Sequence, residues 1–244
     1  MENEINLIID WIKKYVENSG AKGVIVGNSG GKDSSVVIGL CVKALGPENV
    51  LTVAMPCSSI LQDLEDAKLV ADNFNVKLLT IDLTNTYTNL TDAIEKELEK
   101  QIPDYSSINI RPRLRMATLY AIAQTYGYLV AGTGNLCESF VGYTTKWGDN
   151  ASDFNPIAEF SVREVLEIGK ILGVPDKIIN KAPNDGLGGG SDEEKLGVKY
   201  SQIEQYIKNG TCGNTNLDLK IEKLHKQSQH KRNPIPIFHR QNKL

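Results

Sequence analysis

The chain has 244 residues, enough for one domain with a sizeable core. Its 41% hydrophobic and 23% charged residues are ordinary globular proportions, and 27 basic against 30 acidic residues leave a net charge of -3. That balance argues against a nucleic-acid binder held by a broad basic surface, and no apolar run approaches membrane-spanning length.

The first residues, MENEINLIIDWIKKYV, are acidic and amphipathic, unlike a signal or transit peptide, so a cytoplasmic protein is expected. Ile5, Ile8, Ile9, Ile12 and Val16 recur at helical spacing and predict a helix over 3–18 that ends near Gly20. Gly23 to Gly27 is a β-branched run between glycines, a buried strand. A Gly-rich turn from Asn28 to Asp33 leads into a helix from Ser34 to Leu45, closed by Gly46-Pro47. Two more strand–helix units follow: Leu51 to Met55 with a helix over 61–74, then Val76 to Leu83 with a helix over 86–100. A long helix spans Pro112 to Tyr126, and Tyr128 to Gly132 reads as a fourth strand.

After that strand the grammar changes. Gly142 to Pro156 is loop-like, Val162 to Leu172 is helical, and Lys181 to Ser191 is rich in Pro, Asn and Gly. Helices over 200–208 and 216–228 precede a Pro-containing tail. Alternating strands and helices predict a three-layer α/β sandwich with a parallel, Rossmann-like sheet, completed by C-terminal helices, as one domain over residues 1–244. The four cysteines (Cys41, Cys57, Cys137, Cys212) form no CxxC pair and read as reduced thiols.

The turn at the end of the first strand is the most informative segment. Ligands of such sheets bind off the carboxyl ends of the strands. There Gly27, Asn28, Ser29, Gly30, Gly31, Lys32, Asp33, Ser34 and Ser35 combine glycines, whose N–H groups can converge on an anion, with small hydroxyls and a helix N-terminus. Asp33 would repel a phosphate unless a divalent cation lies between them, which implies magnesium. Two common phosphate motifs fail. The pattern GxxxxGK[ST] would need Gly at Val26 and Ser or Thr at Asp33, while GxGxxG is broken by Lys32 and, at the later turn, by Cys137.

The hexapeptide Ser29 to Ser34, SGGKDS, resembles the signature of the ATP pyrophosphatase (PP-loop) superfamily. Five further segments, in order, resemble the ammonia-dependent NAD synthetase family: Asn109 to Met116, Gly132 to Asn135 with Glu138, Thr145 to Asp149, Gly190 to Glu193 with Leu196-Gly197, and His230 to Arg232. The resemblance covers nearly the whole chain. It implies a ligase that consumes ATP, adenylates the nicotinate carboxylate of deamido-NAD, and lets ammonia displace AMP.

It also implies residue roles. Asp33 and Glu138 would hold Mg2+. ATP would be met by the turn from Gly27 to Ser35 and by Gln62, Arg113, Thr133, Lys146 and Asn184. Deamido-NAD would be met by Asn109, Arg115, Lys146, Asp149, His230 and Lys231, with Asp149, Lys146 and Asp192 serving catalysis. Arg113 and Arg115 are two apart on a helix, so one is expected on ATP and the other in an ion pair. His230 either reaches the substrate or stands as an exposed tail histidine. Helix 112–126 is expected at a two-fold dimer interface, and Lys181 to Gly197 is expected to close over the site.

The sequence also departs from the family at Asn184, where relatives carry Ser or Thr, in the short glycine-rich stretch 186–190, and at Cys137 beside Glu138. Two other readings fit part of the pattern. A tRNA-thiolating or GMP-synthetase-like pyrophosphatase shares SGGxDS but not the later segments, and a non-catalytic adenine-nucleotide binder has no need of two metal carboxylates. A glutaminase domain is not expected within these residues, so the ammonia would come from outside.

Overall fold

The computed structural model describes residues 1–57, 61–181 and 191–240. Helix α1 (Glu2–Ser19) leads into strand β1 (Gly23–Gly27), α2 (Lys32–Leu45) and β2 (Val50–Ala54). Then come α3 (Leu61–Asn73), β3 (Lys77–Thr80), α4 (Thr84–Leu98), the short α5 (Asp104–Ser107), α6 (Ile110–Tyr126) and β4 (Tyr128–Ala131). The rest is helical: α7 (Leu136–Val141), α8 (Val162–Leu172), α9 (Asp176–Ile179), α10 (Asp192–Leu196), α11 (Tyr200–Asn209), α12 (Thr215–Gln227) and α13 (Gln229–Arg232).

All strand pairs are parallel, in the order β3-β2-β1-β4. Alternation along β1 sends Val24 and Val26 to one face and Ile25 to the other. On the first face they join Ile5, Ile8 and Ile12 of α1, Val36 and Val37 of α2, and Val165 and Ile168 of α8. On the second, Ile25, Val53 and Val130 meet Ala123 of α6. A third apolar cluster of Cys137, Val141, Leu196, Tyr200, Ile203 and Ile221 fastens α7, α10, α11 and α12 together. This is the three-layer arrangement with C-terminal helices that the sequence predicts.

The boundaries that moved have local causes. Helix α6 begins at Ile110, so Pro112 sits inside its first turn, where a missing N–H breaks no helical hydrogen bond. Strand β3 shrinks to Lys77–Thr80. Helices α5, α7, α9, α10 and α13, of four to six residues, are too short to show a helical period. Among the described residues no helix is long and apolar enough to cross a membrane.

Candidate active site

The chain runs β1, β2, β3 toward one edge and then returns to place β4 on the other side of β1. The crevice at such a reversal, off the carboxyl ends of β1 and β4, is where ligands of this architecture bind. A cavity of about 610 Å³ opens there, lined by residues from the turn after β1, the turn after β4, the α6 face and the segment 142–151.

The turn after β1 is built to hold its shape without a ligand. Asn28 donates its backbone N–H to Val53 O (2.8 Å) and its Nδ2 to Ala67 O (2.9 Å), while its Oδ1 accepts from Gly30 N (3.1 Å). Gly30 has φ +68°, and a Cβ there would lie 2.7 Å from Asp66 Cβ. Only glycine suits this close approach in the left-handed region. The hydroxyls of Ser34 and Ser35 both donate to Gly31 O, at 3.0 and 2.8 Å, and Gly31 N donates to Ser29 Oγ at 3.2 Å, so the turn is tied to the head of α2.

Asp33 is the second residue of α2 and Glu138 the third of α7. Asn135 joins them. Its Oδ1 accepts from Glu138 N (3.1 Å), its own N–H donates to Glu138 Oε2 (3.0 Å), and its Nδ2 donates to Asp33 Oδ1 (3.2 Å). The two acidic residues therefore face one cavity from two different strand ends. Burial first, and then the charge of Asp33, pushes the Glu138 carboxyl well above its usual range. Two such carboxylates suit a hard cation whose remaining ligands are phosphate oxygens and water. Among the described residues no group of three or more His, Cys, Asp or Glu could hold a metal by itself.

Lys32 is buried, with Nζ 2.9 Å from Asp33 Oδ2. Burial alone would lower its ammonium pKa, but Asp33 and Glu138 outweigh that and raise it. Asp192, buried at the head of α10, accepts from the Tyr200 hydroxyl at 3.4 Å and lines the same cavity.

The far wall is tied by long-range hydrogen bonds. Lys231 Nζ donates to Gly142 O (2.7 Å) and Thr144 O (2.6 Å), and Asp149 Oδ1 accepts from Thr145 N (2.7 Å). Thr145 in turn donates its hydroxyl to Asn109 Oδ1 at 2.7 Å. Asn109, Thr133, Asp149 and Lys231 all line the cavity, as does Arg115, whose Nε donates to Met55 O at 3.1 Å.

The other expected contacts lie elsewhere. Arg113, expected on ATP, donates instead to the backbone carbonyl of Lys146 (3.3 and 3.2 Å) and is not among the described lining residues. Lys146 is not among them either; its Nζ stands 5.4 Å from the Trp147 ring centroid. Gln62 donates to Asp66 Oδ1 at 3.0 Å, and His230 is exposed on α13. Asn184 and the stretch 186–190 fall outside the described residues, as does most of the segment expected to close over the site.

Sequence reasoning missed the part that two residues play. Asn135 carried a legible signal, the N-x-x-E spacing of a capping box. Lys181 reads in the sequence only as the start of the segment expected to close over the site; its bonds to Asp63 (2.9 Å) and Asp66 (2.7 Å) at the cavity are not legible there, because those partners are 118 and 115 positions away.

Comparison with known proteins fixes the lineage of this site. The sequence model of the family described as NAD synthase matches residues 4–235. The chain belongs to the NAD synthase family. It is 39% identical over 232 residues to the NH(3)-dependent NAD(+) synthetase of Carboxydothermus hydrogenoformans, covering 95% of each chain. Among solved structures it is similar to an NMN synthetase from Francisella tularensis, with 33% identity, TM-score 0.89 and 97% of each chain covered. It is also similar to an NH3-dependent NAD synthetase from Campylobacter jejuni, with 28% identity, TM-score 0.78 and 98% of each chain covered. In this chain the turn after β1, the Asn135-linked carboxylates and the wall of Asn109, Arg115, Thr133, Asp149, Asp192 and Lys231 meet in one cavity.

Proposed function

We propose that this member of the NAD synthase family is an ammonia-dependent NAD synthetase, a C–N ligase that converts deamido-NAD, ATP and ammonia to NAD, AMP and pyrophosphate. The observation that carries this reading is the pair Asp33 and Glu138, linked through Asn135 and facing the same cavity as the phosphate turn.

The turn's N–H groups and the α2 N-terminus would grip the β- and γ-phosphates, so the α-phosphorus is presented to the cavity. The nicotinate carboxylate attacks that phosphorus and pyrophosphate leaves. Asp33 and Glu138 would hold Mg2+, which neutralises phosphate charge when bound. Ammonia then attacks the acyl carbon, AMP departs, and Asp149, exposed at the cavity wall, accepts the proton that nitrogen sheds. Asn109, Arg115 and Lys231 line the wall against which the rest of the dinucleotide would be oriented. Arg113 and Lys146 stand outside that wall here, and their ATP and substrate contacts would require side-chain movement on binding.

The test is mass analysis after mixing the protein with ATP, Mg2+, ammonium and deamido-NAD. NAD, AMP and pyrophosphate should form in equal amounts; ADP and phosphate would overturn adenylation. Replacing ammonium by ammonia-free glutamine should stop turnover.

The likeness to an NMN synthetase favours a second reading, in which the acid accepted is the mononucleotide. The chemistry at the carboxylate is the same, and only the adenosine half of the acceptor differs. Direct competition between deamido-NAD and nicotinate mononucleotide separates the two by their kcat/KM ratio.

A further inference from the structure

Lys32 occupies an electrostatically awkward place. It is the first residue of α2, where the helix dipole and the converging N–H groups favour anions over cations. It is buried, at 8% exposure, yet its ammonium points into the cavity and sits 2.9 Å from Asp33 Oδ2. Its other oxygen, Oδ1, accepts from Asn135 Nδ2 at 3.2 Å, so both oxygens of Asp33 are engaged in this structure. Glu138 and Asp192 line the same cavity, so the Lys32 ammonium faces a wall that carries three acidic residues. Buried charges persist only when such partners compensate them.

Resting on the reading of Asp33 and Glu138 as the metal carboxylates, we propose that Lys32 is a resident counter-cation that keeps a divalent ion off Asp33 until nucleotide arrives. A metal ion alone must displace the ammonium from Asp33 Oδ2 and leave it buried among positive charge. When metal and ATP enter together, the phosphates supply a new anionic partner for Lys32, and Asp33 is released to the metal. Lys32 is thus a positioning residue that makes the metal enter with the nucleotide.

The experiment is a Mn2+ titration of the full chain without nucleotide, read by the electron paramagnetic resonance signal of free Mn2+. Lys32→Met should bind Mn2+ at least ~10-fold tighter than the unaltered protein, since an adjacent cation lowers a carboxylate's affinity for a proton by about one to three decades and opposes a divalent ion at the same oxygen in the same sense. Lys32→Arg, which keeps the charge, should bind as weakly as the unaltered protein. Adding Asp33→Asn to Lys32→Met should abolish the gain. The melting temperature should repeat the pattern, with Mg2+ alone raising that of Lys32→Met more than that of the unaltered protein. Should Lys32→Met not fold, Lys32→Gln carries the same measurement.

Equal or weaker Mn2+ affinity in the charge-removed variant overturns the inference. If the unaltered protein binds Mn2+ with ATP and Lys32→Met gains nothing without it, only the counter-cation role fails. If neither binds Mn2+ even with ATP, the metal reading fails as well.

Discussion

Asn135 Nδ2 stands 3.2 Å from Asp33 Oδ1, a hydrogen bond between residues 102 positions apart. Through it the side chain that caps α7 also fixes the carboxylate at the head of α2. Capping and tethering can be separated by substitution. Asn135→Ser keeps a good N-cap but cannot reach Asp33, so stability should change by less than about 1 kcal/mol. That corresponds to a melting shift of no more than about 2–4 °C for a chain of this size. Turnover should fall ~10-fold or more, because the orientation of Asp33 is lost. Thermal melts and steady-state kinetics on the same preparation check both halves.

Asp33→Asn and Glu138→Gln should each reduce turnover by at least ~100-fold. Both residues sit at the cavity rather than in the apolar clusters, but Asp33→Asn takes from buried Lys32 its 2.9 Å partner, so the melting temperature of that variant should fall. For Glu138→Gln a rise is expected, since the buried carboxyl is already disfavoured as an anion. Near-normal activity in either variant would remove that residue from the metal pair.

Gly30→Ala tests the phosphate turn. The new Cβ would meet Asp66 Cβ at 2.7 Å, Asp63 O at 2.8 Å and Ala67 N at 2.9 Å, with φ at +68°. Strain of this kind costs on the order of 1–3 kcal/mol. The turn would shift away from α3, so ATP affinity should fall together with stability, read by calorimetric titration and by denaturant melts.

Asp66 gives a pH-dependent stability. Burial alone would raise its carboxyl pKa, but hydrogen bonds from Lys177 (2.7 Å) and Lys181 (2.7 Å) hold it below the usual value. A carboxyl depressed on folding binds more protons when unfolded, so its contribution is fully present above the unfolded value, near ~4. It is lost as pH falls through the folded value. Asp66→Asn should therefore lower the melting temperature at pH 7, and the gap to the unaltered protein should close between about pH 4 and the acid limit. A gap that stays constant with pH would show that the ion pairs add no net stability.

Self-association through α6 is the expectation that the exposed apolar residues of α6 and α4 put to test. Leu114, Leu119, Tyr120 and Ile122 of this 17-residue helix are half-buried against the core, but Tyr126 at its end is exposed, as are Leu90 and Leu98 of α4. Neighbouring α4 buries none of its residues. Apolar surface left open on adjacent helices fits a partner subunit. Light scattering should report about twice the 26.9 kDa chain mass, and a fully active monomer would refute the arrangement.

The sequence by itself determined what short-range physics controls. Helix α8 begins and ends where its apolar spacing says, because Ser161 with Glu164 caps one end and Gly173 in the left-handed region closes the other. Strand β1 lies within its two glycines, and the turn that follows was readable because backbone N–H convergence needs adjacent glycines. The tertiary structure decided the rest. The return of β4 to the side of β1 set the cavity, and no local preference encodes that neighbour. The Asn135–Asp33 bond, the pinning of Gly142 and Thr144 by Lys231, and the anchoring of Lys181 on Asp63 and Asp66 all span 80 residues or more. Their donors and acceptors are ordinary polar residues whose pairing depends on where the chain folds back. Arg113 shows the limit most plainly. Helical spacing placed it on a different side from Arg115, but only the folded loop at Lys146 supplied the carbonyl it takes.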